Sequence, residues 1–163
     1  MSEQELMDCT REYGNNGCDG GWSRNSYRWL SKNKTMKESD YPYTGKEGDG
    51  NCKYDATKGI TTVPTYYYYG VGSIDDILHN LADQPLNVAV AAENNVFFGY
   101  SSGIITSNMG CPTDTDHEIV AVGWGVENGV QYYVVRNSWG TGWGEQGFAR
   151  IATEGGENGV CGI

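Results

Sequence analysis

Histidine is scarce in this sequence, with two in 163 residues, and basic residues are outnumbered, 11 lysines and arginines against 21 aspartates and glutamates. The net charge of −10 and the pI near 4.5 argue against nucleic acid as a partner and against an anionic membrane surface. No apolar run approaches the ~20 residues that a transmembrane helix needs. No basic-then-apolar leader opens the chain. The lack of histidine also disfavours a metal centre. Asp114, Asp116 and His117 stand close in sequence but have no fourth ligand nearby, so neither a metal nor a cofactor is expected. There is no internal repeat and no low-complexity linker, and the length suits one domain with a real core.

What is plentiful is glycine, at 24 residues, and tyrosine, at 12. Together they describe a loop-rich, aromatic-packed chain and not a helical bundle. Ser2-Glu3-Gln4-Glu5 is a capping-box pattern that predicts a short helix to about Cys9. Arg11–Gly21 reads as a polar loop. Trp22–Asn33 carries a helical stripe of Trp22, Tyr27, Trp29 and Leu30. Asn33-Lys34-Thr35 has the form of a glycosylation acceptor. Glu38–Lys58 is rich in turns, and Thr61–Tyr69 predicts a packed edge strand around Pro64. Ser73 should cap a second helix, Ile74–Ala82, with Ile74, Ile77, Leu78 and Leu81 on one face and His79 off it. Leu86–Ala92 alternates like a half-buried strand. Val96–Tyr100 and Gly103–Thr106 suggest a short strand or turn pair. Glu118–Trp124, Val130–Arg136 and Gly147–Ala152 complete a β-rich remainder, so the class is α+β.

The organising stretch runs from Asp114 to Gly147. His117 opens one apolar run and Asn137 closes the next, with Val126-Glu127-Asn128-Gly129-Val130 between them. Asn-Gly is the strongest short hairpin signal. A hairpin there brings His117 near Asn137, an arrangement in which an amide can hold a catalytic imidazole in one tautomer. A histidine at a strand start is more often simply packed or solvated. The sequel raises its interest: Trp139, Gly140, Gly142, Trp143, Gly144 and Gly147 crowd into nine positions. A strand is weakened by so many glycines. A loop that brings backbone close to something beneath an indole is served by them.

These residues resemble a known family. Asn-Ser-Trp-Gly-Thr-Gly-Trp-Gly-Glu and Asp-His-Glu-Ile-Val-Ala-Val-Gly-Trp-Gly look like the asparagine and histidine motifs of papain-family cysteine proteases. Ser2–Cys9, Gly17-Cys18-Asp19-Gly20-Gly21, Tyr41-Pro42-Tyr43 and Gly159-Val160-Cys161-Gly162 resemble further motifs of that family, in the same order. The resemblance covers essentially the whole chain. It implies the papain-like two-lobed fold, with residues 1–60 the remainder of a helical lobe and 61–163 an antiparallel β-barrel-like lobe, together one peptidase domain truncated at its N-terminus. It implies a catalytic His117 oriented by Asn137, with Trp139 shielding that bond. Gly20 and Gly21 would run beside a polypeptide substrate. Trp22, Ala89 and Thr115 would line the main apolar specificity pocket, and Asp116 would be a further substrate-binding residue. Glu118 departs from the family, which has a small residue there. Its carboxylate either favours basic side chains or spoils the pocket. The resemblance also pairs Cys9 with Cys52 and Cys111 with Cys161 and leaves Cys18 without a partner. Each bridge would close a loop worth roughly 3–4 kcal/mol. All five cysteines reduced and buried is the other reading.

The family's nucleophile signature lies roughly 130–150 residues before the His and Asn. Counted back from His117 or Asn137, it falls before Met1, and none of the five cysteines here stands in such a pattern. The expectation is therefore the C-terminal portion of a cysteine-type endopeptidase, inactive alone, whose missing N-terminal segment or a partner chain supplies the thiol. The alternative is a catalytically inactive papain-like protein with a binding or structural role. Resemblance places such proteins in lysosomes, vacuoles or outside the cell.

Overall fold

The computed structural model describes residues 1–46, 51–67 and 73–163. The chain divides into two compact units, Met1–Tyr69 and Gly70–Ile163.

In the first unit, α1 (Glu3–Cys9) begins at Ser2, whose hydroxyl accepts the Glu5 N–H at 3.0 Å. The cap is half of the expected box. Glu5 does not reach back to Ser2. Its carboxyl turns inward and Oε2 accepts from the Thr35 hydroxyl and the Met36 N–H, each at 2.9 Å. The Arg11–Gly21 stretch is tightened by two single 3-10 turns, Arg11–Tyr13 and Gly17–Asp19. Then α2 (Ser23–Leu30) follows, shorter than its apolar stripe, with Trp22 at its start and half exposed. Trp29, Leu30, Met36, Tyr41 and Cys9 form the core. The edge strand expected over Thr61–Tyr69 does not form in its described part: only Thr61 pairs, in an isolated bridge with Thr35. Pro64 brings no N–H to a ladder, and Val63 instead donates to the Leu30 carbonyl at the end of α2. Tyr66 stacks on Tyr27, while Tyr68 and Tyr69 lie outside the described residues. Asn33 and Thr35 of the glycosylation pattern are engaged in the fold. Asn33 Nδ2 donates to the Trp29 carbonyl, and Thr35 is buried on Glu5.

The second unit starts with α3 (Ile74–Leu81), which has a complete capping box: Ser73 accepts the Asp76 N–H, and the Asp76 carboxylate accepts the Ser73 N–H. Leu81 is buried, while Ile74, expected on the same face, is exposed. Five strands follow in the sheet order β1-β3-β4-β5-β2: β1 (Leu86–Val90), β2 (Ile104–Ile105), β3 (His117–Glu127), β4 (Val130–Arg136) and β5 (Phe148–Ala152). All pairs are antiparallel except β2 with β5. The β3–β4 hairpin turns at Asn128 and Gly129, with φ of 52° and 83°, the mirror-image turn that asparagine and glycine adopt most cheaply. Residues 95–98 form a short helix, α4 (Asn95–Phe98), where a strand or turn was expected. Its cause is local: Asn94 Oδ1 accepts from both Val96 N and Phe97 N at 3.0 Å, which satisfies first-turn donors. The core is Val90, Phe97, Ile119, Ala121, Tyr133, Val135, Ala149 and Ile151 with their neighbours. α+β is thus the class of the fold.

Candidate active site

β3 and β4 share a ladder that ends with Val120 opposite Arg136. His117 lies at the outer start of β3, and Asn137 follows the last residue of β4. The ladder therefore delivers both side chains to one end of the sheet. His117 Nε2 stands 2.9 Å from Asn137 Oδ1. The backbone N–H of Ser138 donates to the same oxygen at 2.7 Å. An amide oxygen only accepts, so the imidazole must carry its proton on Nε2, leaving Nδ1 as the second ring nitrogen. Asn137 is itself buried and its N–H donates to the Gly147 carbonyl at 2.9 Å.

Trp139 covers this pair. Its ring stacks on the imidazole with centroids 5.2 Å apart and planes 25° apart. It meets Phe97 edge-on at 5.8 Å, Phe98 at 5.5 Å and Trp143 at 5.4 Å. Trp143 fixes the cluster further, since its indole N–H donates to the Phe98 carbonyl at 3.2 Å. Glycine is needed behind this cover at one point above all. A Cβ on Gly144, at φ +57°, would stand 2.5 Å from the Phe148 carbonyl oxygen.

The loop is tethered by Glu145. Its carboxylate accepts from Gly103 N at 3.0 Å and from Arg150 Nε and Nη2 at 3.0 and 2.7 Å. The hydrogen bond from Arg150 holds the Glu145 carboxyl below its ordinary range. Arg150 also reaches Glu127 at 3.0 Å and lies over the Tyr132 ring. Charge-assisted bonds of this forked kind fix geometry as well as energy.

A cavity of about 270 Å³ opens beside the imidazole, lined by Ala92, Glu93, Phe98, Asp116, His117 and Trp139. Asp116 links its walls: its carboxylate accepts from Ala92 N at 2.7 Å and Glu93 N at 3.0 Å. The structure thus brings His117, Asn137, Trp139 and Asp116 together. Ala89 and Glu118 lie opposite each other in the β1–β3 ladder, one step from the Val90–His117 pair. Thr115 packs its methyl against Gly162. Ala92, Glu93 and Phe98 were not singled out from the sequence. The Asn94 cap was the available signal, because it turns 95–98 into a helix and so presents Phe98, 70% exposed, to Trp139.

Gly20, Gly21 and Trp22 belong to the first unit. Gly20 has φ +100° and open space where a side chain would be. Gly21 is glycine for an internal reason: a Cβ there would lie 2.5 Å from Asn15 Oδ1, which accepts the Trp22 N–H at 2.8 Å. Disulfides join Cys9 to Cys52 and Cys111 to Cys161, and Cys18 is free and exposed. Among the described residues no cluster of metal-ligating side chains occurs, and no helix is long and apolar enough to cross a membrane.

A half-buried imidazole bonded to a buried amide, with an indole stacked on the ring, thus stands at one end of the sheet. Comparison with known sequences defines the family. The model for papain family cysteine proteases matches residues 1–163, and the chain belongs to that family. A cathepsin L-like proteinase of Fasciola hepatica is 43% identical over 165 residues, covering all of this chain and 49% of that protein. The cysteine proteinase COT44 of Brassica napus is 42% identical over 167 residues, with the same coverage. The chain spans about half the length of these curated relatives. Among solved structures, digestive procathepsin L 3 of Tenebrio molitor larval midgut superposes with a TM-score of 0.87 at 35% identity, over 99% of this chain and 52% of that one. Bromelain protease of Ananas comosus, solved with the E64 inhibitor, gives 0.86 at 32% identity, over 100% and 74%.

Proposed function

We propose that this chain carries the histidine and asparagine of a papain-like cysteine endopeptidase, and that its nucleophilic thiol belongs to polypeptide outside these 163 residues. The observation that supports this best is the 2.9 Å contact between His117 Nε2 and Asn137 Oδ1 beneath Trp139. It leaves Nδ1 to face a thiol. Four of the five cysteines here are in disulfides, and the matching relatives are about twice as long.

The chemistry follows from that assignment. An imidazolium beside a thiol lowers its pKa by charge, so the thiolate is present to attack. Sulfur bonds to the peptide carbonyl carbon, and the C–N bond breaks as His117 protonates the leaving amine. Water then attacks the thioester while His117 takes its proton, which frees the acid and restores the thiol. Asn137 positions the ring throughout. Gly20, Gly21 and Trp22 would flank an extended substrate, and residues 1–60 and 61–163 would be the two lobes of one peptidase domain. The two disulfides suit an oxidising compartment, a lysosome, vacuole or the exterior.

The test compares two polypeptides. The 163-residue chain alone should cleave no dipeptidyl reporter and take up no E64. The chain extended by the segment its relatives carry should cleave it, and His117→Ala should lower that rate by about 10²–10⁴-fold. Turnover by the 163-residue chain that is lost in His117→Ala would overturn the assignment of the thiol. An extended chain indifferent to His117→Ala would overturn the function.

A further inference from the structure

We propose that the last five residues, Gly159–Ile163, form a hook that sets the position of His117, with Gly162 as the positioning residue. The catalytic meaning of this rests on the function proposed above, but the geometry does not.

His117 is reached by two short segments: residues 91–93, which leave β1, and residues 113–116, which enter β3. Asp116 ties them together, donating its N–H to the Val90 carbonyl at 3.0 Å and accepting from Ala92 and Glu93. The hook braces both from behind. The Cys161 carbonyl accepts the Ala91 N–H at 2.7 Å. Cys161 is also bonded to Cys111, at the head of the second segment. Val160 and Cys161 are buried in the core of the sheet unit, 3% and 0% exposed, so the hook has a fixed base. Gly162 is then pressed against the second segment. A Cβ on it would stand 2.6 Å from Thr115 Cγ2 and 2.7 Å from the Thr113 carbonyl oxygen. One of these is backbone and cannot rotate away. Thr115 is two residues from His117, so a displacement there moves the strand start that aims the ring.

Gly162 has a second reason to be glycine, its φ of +84°. Strain from that dihedral alone would lower stability without moving the histidine. Gly156 separates the two effects: it has φ +71° in the same terminal region, and nothing lies within 4 Å of its absent Cβ.

The experiment uses the 163-residue chain and the ring ¹⁵N and ¹H signals of its histidines. There are two, and exposed His79 on α3 serves as an internal reference. In the unsubstituted chain His117 should show the Nε2–H tautomer. Gly162→Ala should abolish that single pattern and leave His79 unchanged. Gly156→Ala should lower the melting temperature with both histidines unchanged. If Gly162→Ala does not fold, Thr115→Ser decides, since removing the methyl loosens the same contact without touching the backbone. It should broaden or split the His117 signals. Unchanged His117 signals in folded Gly162→Ala, or in Thr115→Ser, overturn the proposal. Should Gly162→Ala move the ring while the extended chain ignores His117→Ala, the hook stands and the peptidase function falls.

Discussion

The two compact units are held by different kinds of interaction. Among the described residues of Met1–Tyr69 the buried ones include Ser2, Gln4, Glu5, Asp8, Thr10, Asn25 and Thr35, outnumbering the five buried apolar side chains around Trp29. Polar groups bind the layers there. Tyr41 donates its hydroxyl proton to Asp8 Oδ2 at 2.8 Å and accepts from Lys53 N at 3.1 Å, and burial pushes that hydroxyl up to about 12. Gln4 donates to the other oxygen of Asp8. In Gly70–Ile163 the core is a sheet face of Val90, Ile119, Ala121, Tyr133, Val135, Ala149 and Ile151, and the buried polar side chains are few. Apolar packing is forgiving in direction and large in sum. A buried polar network is directional, and each unmade bond is costly. The unit built on the sheet is thus the one able to aim His117 and Asn137, because its strands fix their own register. The first unit depends on every partner being in place. Glu5 shows how finely that is drawn, as its Oε1 is buried with no hydrogen-bond partner among the described residues.

The sharpest test of this contrast is Ile151→Ala. Ile151 is fully buried, pairs with Tyr133 in β4 and lies alongside Ile105 in β2. Deleting its branched chain should cost about 2–5 kcal/mol. Amide hydrogen exchange should quicken through β3, β4 and β5 and remain slow through α1. Equal quickening in both units would erase the distinction. A smaller effect, confined to the other unit, is expected for Glu5→Ala. It strands the buried Met36 N–H, worth about 1–3 kcal/mol when left without an acceptor, while the Thr35 hydroxyl keeps its 3.4 Å contact with the Met36 carbonyl. Exchange should then quicken in α1 and around Met36 but not in β4. Glu5→Gln keeps one acceptor oxygen and should lose less. If Glu5→Ala were silent, the polar network would be incidental to the first unit.

The same contrast explains what could be read from the sequence. Elements fixed by local chemistry were legible: the Asn128-Gly129 turn, the Ser73 cap, and the strands β1, β3, β4 and β5. The meeting of His117 with Asn137 was legible for that reason, since it follows from one hairpin. What failed was set by distant partners. Glu5 looks like a reciprocal cap because Ser2 stands three residues before it, yet Thr35 and Met36 take its carboxyl. Thr61–Tyr67 has strand composition but finds only one bridging partner, Thr35. Val96-Phe97-Phe98 reads as strand by residue type, and the preceding Asn94 overrides that with two hydrogen bonds. The cavity wall at Phe98 and Glu93 went unseen because it depends on that helix. Disulfide partners were given by the family resemblance, and spacing alone could not have chosen them.

The smallest expected effect concerns pH and belongs to the sheet unit. Glu145 is held below its ordinary carboxyl value of 4.5, first by the hydrogen bond from Arg150. Its folded form therefore binds a proton less readily than its unfolded form. The stability this contributes is complete above about 4.5 and is lost as pH falls through that value toward the lower folded one. Because the pair is partly solvated, with side chains 19% and 31% exposed, its contribution should be about 0.2–1 kcal/mol. Glu145→Gln should flatten the acid limb of sheet-unit stability and leave α1 exchange unaffected at every pH. The same variant should loosen the Trp139–Trp143 loop, because Glu145 also holds Gly103. A red shift of indole emission should accompany the lost acid dependence. Flattening without that shift would mean that the aromatic cover over His117 holds itself, and that Arg150 and Glu145 serve only the edge of the sheet.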